Sequence, residues 1–299
     1  MMRFGYCCIA LGVPDCSTAR TITVKNLEKI DPAHRWGRLA NIARANLENS
    51  RRLVWYNQAH AIGLYRFSSQ LVPLATHPIT AGWDYRTELR LELLAVGQAV
   101  NETGLRVSTH PGQYTVLNTP SEAVWQNALA DLEYHHQVLS AMELRQNARM
   151  IVHVGGAYHN KTQALDRFKR RFAEIPAAIR DRICIENDDR VFTVRDVLGL
   201  AQSLAVPMVV DVHHHRYCNQ GEDLREYLPA IFATWGDERP KIHLSSPKSE
   251  QDCRAHADWV APQDFRNFHA ITPTAEVDVM VEAKMKDLAV FKLREVLEL

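Results

Sequence analysis

Eight short apolar runs rich in Val and Ile recur along the chain, each followed by a longer stretch of helical periodicity, and no other feature restricts the fold so strongly. The runs are RFGYCC (3 to 8), GLYRFSS (63 to 69), LRVSTH (105 to 110), RMIVHV (149 to 154), RICIEN (182 to 187), PMVVDVHH (207 to 214), KIHLSS (241 to 246) and VDVMVEAK (277 to 284). Between them the pattern predicts helices over 33–60, 84–103, 121–147, 162–180, 193–205, 222–235, 262–269 and 285–298. Several have clear starts, such as Thr193 with Asp196 three residues on, and Ser121 after Pro120. Strands alternating with crossover helices imply parallel pairing, and eight βα units in 299 residues fit a closed (β/α)8 TIM barrel better than an open sheet. No linker or composition shift divides the chain, so a single domain over 1–299 is expected. The one irregular stretch runs from Pro14 to Asp31, where TITVKNL is expected to form a short extra strand pair in a long loop.

With 35 Lys+Arg against 35 Asp+Glu, the chain does not coat nucleic acid or anionic membrane through overall basicity, so any phosphate binding must be local. The six cysteines (Cys7, Cys8, Cys16, Cys184, Cys218 and Cys253) form no CxxC pair, and a cytoplasmic location is expected. Met1, Met2 and Arg3 followed by the apolar run Phe4 to Val13 imitate a secretory leader, but no small-x-small cleavage site follows. The run is expected to be the first core strand. No 18 uninterrupted apolar residues occur to span a membrane.

Almost every run ends in a residue able to hold a metal ion or carry a proton: His110, His153, Glu186, Asp211 followed by His213, His214 and His215, then His243 and Glu282. In a barrel of parallel strands these ends share one mouth, so groups scattered through the sequence converge there. Imidazole nitrogens and carboxylates are the ligand set for Zn, Mn or Fe, and sharing a carboxylate between ions builds paired sites about 3.5 to 4 Å apart. A single histidine is more often a surface or satisfied core residue than a ligand; several falling on the last residues of separate strands reverse that expectation. Carboxylates directly after ICI, MVV or VMV would be costly inside a barrel unless paired or bound to a cation. A multinuclear metal site is therefore expected. Within the triplet two choices stay open: strand alternation puts His213 on the face of Asp211, whereas a turn brings His214 round. His77, in the loop after the second run, and His256 are weaker candidates.

The segments YRFSSQLVPLATHP (65 to 78), STHPGQY (108 to 114), VHVGGAY (152 to 158), IENDDR (185 to 190), VVDVHHH (209 to 215), KIHLSS (241 to 246) and DVMVEAKMKD (278 to 287) resemble the UV damage endonucleases, which nick DNA beside UV photoproducts. The likeness runs in order from residue 3 to about 287, and HPGQY and VMVEAK are distinctive on their own. It implies a barrel related to the trinuclear apurinic-site endonucleases and the xylose isomerase-like barrels. It also implies up to three divalent ions, commonly manganese, with zinc or cobalt as alternatives. Carried over position by position, the metal ligands would be His77, His110, His153, Glu186, Asp211, His214, His243, His256 and Glu282, which resolves the triplet toward His214. Lys241 matches a lysine that is carboxylated in some members; the other reading is a lysine that merely starts a strand. Glu186, Lys241 and His243 are the catalytic groups so implied.

Gln113 and Tyr114 match a pair that the family pushes into the duplex opposite the lesion, and Tyr6 matches another residue near it. A planar amide and an aromatic ring can fill the hole left by extruded bases. The alternative is that Tyr114 packs on Pro111 while Gln113 caps a turn. Position 10 departs from the pattern, being Ala10 where other members carry an asparagine facing the lesion. The implied activity is metal-assisted hydrolysis of UV-damaged double-stranded DNA immediately 5′ to cyclobutane pyrimidine dimers and 6-4 photoproducts, leaving a 3′ hydroxyl and a 5′ phosphate. A monomer is expected, since no long heptad or apolar stripe calls for a partner. Two rivals share the barrel: an apurinic-site endonuclease, and a metal-dependent sugar isomerase or epimerase, for which nine candidate ligands are too many and the Gln113-Tyr114 pair has no duty.

Overall fold

The computed structural model describes residues 2–272 and 276–298; residues 1, 273–275 and 299, which the expected domain includes, lie outside the described set. Among the described residues, eight strands pair in parallel and close into a barrel in which the last joins the first. They are β1 (Arg3–Cys7), β2 (Leu64–Arg66), β3 (Arg106–Thr109), β4 (Arg149–His153), β5 (Ile183–Glu186), β6 (Met208–Asp211), β7 (Lys241–Leu244) and β8 (Asp278–Val281). The helices are α1 (Val24–Glu28), α2 (Pro32–Ala59), α3 (Tyr85–Glu88), α4 (Arg90–Thr103), α5 (Glu122–Ala141) and α6 (Lys161–Glu174). They continue with α7 (Ala177–Arg180), α8 (Val194–Leu204), α9 (Val212–Tyr217), α10 (Leu224–Ala233), α11 (Pro262–Ile271) and α12 (Lys286–Val296). The (β/α)8 TIM barrel read from the sequence is thus the observed architecture.

The main core lies between strands and helices, where outward residues such as Phe4, Tyr65, Val107, Val152, Ile185, Val210, Ile242 and Val279 meet apolar helix faces. Inside the barrel, Cys7, Leu64 and Met280 form one small cluster, and Ile151, Cys184 and Val209 join Trp235 in another. β1 and β2 approach closely at Gly5, where a Cβ would stand 1.8 Å from Leu64 O. The end away from the strands' C-termini is sealed by charge. Fully buried Asp278 accepts from Arg3 Nε and Nη2, each at 2.7 Å, and from Arg106 Nη1 at 2.7 Å. Removing one partner of such a pair is costly, so the seal ties β1, β3 and β8 together.

Several predicted elements differ, among them the helix expected over 84–103, which divides at Leu89 into α3 and α4. TITVKNL forms no strand pair: the Thr23 hydroxyl accepts the Asn26 N–H at 3.3 Å and starts α1. The helix expected over 162–180 breaks at extended Ile175, which precedes Pro176. That over 121–147 stops at Ala141, and Glu143 takes a left-handed φ of 54°. Finally, the strand expected to run to 214 ends at Asp211, whose Oδ1 accepts from His214 N at 2.8 Å and caps α9.

Candidate functional site

Alternation along the strands turns Cys7, Arg66, His110, His153, Glu186, Asp211, His243 and Glu282 toward the barrel axis at the mouth. Register places Cys7 opposite Arg66, His153 opposite Glu186 and Asp211 opposite His243. Glu186 sits at the centre of this ring. His243 Nδ1 is 2.7 Å from its Oε1 and His110 Nε2 is 3.3 Å from its Oε2. His153 Nε2 lies 3.8 Å from Oε2, and His214 Nδ1 3.9 Å from Oε1. Glu282 reaches the same cluster, with Oε1 3.2 Å from His243 Nδ1 and Oε2 3.8 Å from His256 Nδ1.

Electrostatics at the mouth are dominated by burial and by these close charges. Burial would push Glu186 up, but the imidazoles of His243, His153 and His110 hold it well below the usual carboxylate range. For Asp211 burial wins and raises the carboxyl against the pull of His214. His153 is pushed down to about 4 by burial. His214 goes the other way: burial opposes its protonation, yet Asp211 and Glu186 raise it to about 9.

The donor set fits divalent ions. Three groups bring their ligand atoms within 4.8 Å of one another among the described residues: His110, His153 and Glu186; Glu186, Asp211 and His214; and Asp211, His243 and Glu282. Glu186 belongs to two groups and Asp211 to two, the sharing by which neighbouring ions are held. His110 Nδ1 faces Pro111 O at 3.0 Å and His214 Nδ1 faces Asn187 O at 2.9 Å, which fixes each ring and leaves Nε2 to a ligand. Asp211 Oδ2 and His243 Nε2 are buried without a hydrogen-bond partner among the described residues, a cost that a bound cation would remove.

The other sequence-derived candidates are placed unevenly. His214, and not His213, turns to Glu186, because helix α9 begins directly after Asp211; His213 Nε2 instead faces Arg254 O at 3.3 Å. His256 stands beside Glu282 without joining a three-residue donor group. His77 is exposed and lies outside those groups; its Nδ1 accepts from Ile79 N at 3.1 Å at the start of a short 3-10 turn. Tyr6 lies below the surface. Alternation turns it away from the axis, fully buried against Tyr65 at 5.4 Å between ring centroids. Ala10 is also buried. Gln113 and Tyr114 are exposed on the loop after β3, and Tyr114, at 80 % exposure, does not pack on Pro111.

Lys241 lies on the inward face of β7, two residues below His243. It is almost wholly buried, its Nζ has no hydrogen-bond partner among the described residues, and burial, aided by Arg106, lowers it to about 7. Two residues were not singled out by sequence reasoning. Arg66, in YRFSS, ends β2 beside Glu282, with Nη1 2.6 Å from Oε1. Asp287, in MKD, is fully buried and accepts from Leu11 N at 2.7 Å, Gly12 N at 3.1 Å and Tyr56 Oη at 2.8 Å, pinning the loop after β1. Arg66 had a findable signal, since it too closes a strand; Asp287 had none.

Residues 2–299 match the family model described as UV-endonuclease UvdE. A UV DNA damage endonuclease of Bacillus pumilus is 42 % identical over 299 residues, covering 98 % of this chain and 93 % of that protein. The crystal structure of SacUVDE superposes with a TM-score of 0.90 at 31 % identity, covering 100 % of this chain and 98 % of that one. Endonuclease IV from Thermus thermophilus shares the fold, with a TM-score of 0.57 at 15 % identity over 83 % of this chain and 94 % of its own. A match over nearly the whole chain, on a barrel whose mouth carries shared carboxylates among imidazoles, means that the chain belongs to the UvdE family of UV endonucleases.

Proposed function

We propose that this protein repairs UV-damaged double-stranded DNA by nicking it immediately 5′ to cyclobutane pyrimidine dimers and 6-4 photoproducts. The observation that carries the reading is Glu186, held ionised in the centre of His110, His153, His214 and His243 and shared between two donor groups. Up to three divalent ions, manganese first, held by these groups together with Asp211 and Glu282 would supply an activated water and neutralise charge on the phosphate. Around them the chain's own groups orient and enclose: His110 and His214 are fixed by backbone carbonyls, and Arg66 holds Glu282 in place. His77 and His256 complete the proposed ligand set from the rim. Water attacks phosphorus, the bond to the 3′ oxygen breaks in line, and the proton goes to that oxygen, leaving a 3′ hydroxyl and a 5′ phosphate.

Lys241 suits a structural modification. An amine that burial lowers to about 7 has a substantial neutral fraction near pH 7; its Nζ can attack carbon dioxide and release a proton, and the carbamate so formed would give the cluster another carboxylate. Selectivity rests on deformability, because a photoproduct is poorly stacked and cheaper to extrude, with Gln113 and Tyr114 filling the gap opposite. Ions held there would supply a local positive field to a chain of zero net charge. Lys161, Arg190 and Lys248, basic residues that could help, are each ion-paired, with Asp196, Asp189 and Asp252. We place the enzyme in the cytoplasm as a monomer; no helix among the described residues is long and apolar enough to cross a membrane.

The test is nicking of a duplex carrying one placed cyclobutane dimer, beside undamaged and abasic controls, with Mn²⁺ and with chelator. Metal-dependent cutting just 5′ of the dimer is the expected result. Cutting of the abasic control alone would make this an apurinic-site endonuclease.

A further inference from the structure

The loop that carries Gln113 and Tyr114 is a closed turn: Thr115 N donates to Gly112 O at 2.8 Å, leaving the two side chains at its exposed corners. Both ends of that turn are fastened to one atom. Asp131 Oδ2 accepts from Gly112 N at 3.0 Å and also from the Thr115 hydroxyl. Asp131 stands in the middle of α5, a helix of 20 residues packed on the barrel, so the anchor is as rigid as the scaffold. Beneath it lies buried His135, whose Nε2 is 3.8 Å from Asp131 Oδ1. On the far side Asn118 Nδ2 donates to Gly156 O at 2.8 Å and ties the same loop to the one after β4.

This arrangement holds a large ring out in water, 80 % exposed, on a turn fastened at both ends. The backbone of such a turn is ordered before its target arrives, and that part of the ordering cost is removed from the binding step. We propose that Asp131 is a positioning residue for damage recognition: by clamping Gly112 and Thr115 it presents Gln113 and Tyr114 in the conformation that enters the duplex. The proposal rests on the reading of Gln113 and Tyr114 as the inserted pair. Asp131 itself touches neither the metal-ligand cluster nor the exposed corners, and it acts through the turn.

The experiment uses Mn²⁺-loaded protein and a duplex with one cyclobutane dimer and 2-aminopurine placed opposite. Stopped-flow fluorescence follows unstacking before the strand is cut, and an intact duplex serves as control. D131A and Thr115→Val should each raise the half-saturating protein concentration for the damaged duplex about ten-fold and leave the intact duplex and the Mn content unchanged. Asp131→Asn and Thr115→Ser should recover most of the loss, because both bonds need only one acceptor oxygen and one hydroxyl. Tyr114→Ala is run in parallel. If it loses discrimination while D131A and Thr115→Val keep it, the clamp is refuted and the inserted pair stands. If Tyr114→Ala also keeps it, the inserted pair and the clamp fall together. A lowered melting temperature with unchanged discrimination would make Asp131 a structural residue and overturn the proposal.

Discussion

Arg66 Nη1 lies 2.6 Å from Glu282 Oε1, so one carboxylate of the mouth is answered by a fixed cation supplied by β2, across β1 from the strand that carries it. Both side chains are 12 % exposed, deep enough that solvent screens them little. Burial alone would raise Glu282, yet Arg66 and His243 hold it far below the usual carboxylate range.

Replacing Arg66 by Met should therefore leave a buried carboxylate short of its main partner and weaken the metal-free fold by about 3 kcal/mol. Added Mn²⁺ should restore more of the melting temperature in the variant than in the parent, because an ion at Glu282 takes over the missing charge. Thermal melts in chelator and in Mn²⁺ compare the two; equal recovery would place Glu282 outside the ion-binding cluster.

Glu186→Gln keeps the shape and removes the charge shared by two donor groups. Several kcal/mol of charge stabilisation at the phosphate should vanish with it, a loss of roughly a thousand-fold in nicking rate. Binding of damaged duplex, measured by gel shift, should fall far less. Full cutting by the variant would remove Glu186 from the centre of the mechanism.

His135 gives an acid-side stability slope. Burial pushes it down to about 4 from an ordinary 6.5, against the pull of Asp131. Between those values the unfolded chain binds the proton and the folded chain does not, so stability falls as pH drops from about 6.5 toward 4 and is unaffected above that window. The melting temperature of His135→Gln, measured in chelator, should decline less steeply between pH 7 and pH 5 than that of the parent. Buried His153 acts in the same direction, so the slope should shrink without disappearing.

Gly155 and Gly156 make an internal control on the loop after β4. Gly155 has φ +107°, and a Cβ there would meet Asn118 Oδ1 at 2.4 Å and Val116 Cγ1 at 2.7 Å. Gly155→Ala should cost about 2 kcal/mol or more. Gly156→Ala meets only the Tyr158 ring, at 3.3 Å, and should cost well under half as much. Urea midpoints for the two variants decide it, and equal losses would contradict the packing of Asn118 on this loop.

Much of the barrel could be read in advance because its strands are short apolar runs that end in polar residues, a pattern that helices of this length do not produce. His110, His153, Glu186, Asp211, His243 and Glu282 were legible for the same reason: each closes a run. What could not be read were features set by local hydrogen bonds or by distant contacts. The choice of His214 over His213 depends on Asp211 capping α9, a competition between strand and helix that periodicity does not see. Tyr6 was legible as a strand residue, but its outward face follows from pairing with Tyr65. Asp131 and Asp287 look like ordinary helix residues until the loops they hold are in place.

The closure of β8 against β1 also bears on when the mouth comes into being. Glu282, the carboxylate just past β8, is translated well over a hundred residues after His110 and His153. A growing chain thus carries imidazoles and Glu186 long before it can surround them. Because the mouth is drawn from strands far apart in sequence, its carboxylates and imidazoles come together late and all at once, with the last strand pairing of the ring. A mouth assembled this way exists only once the whole ring does.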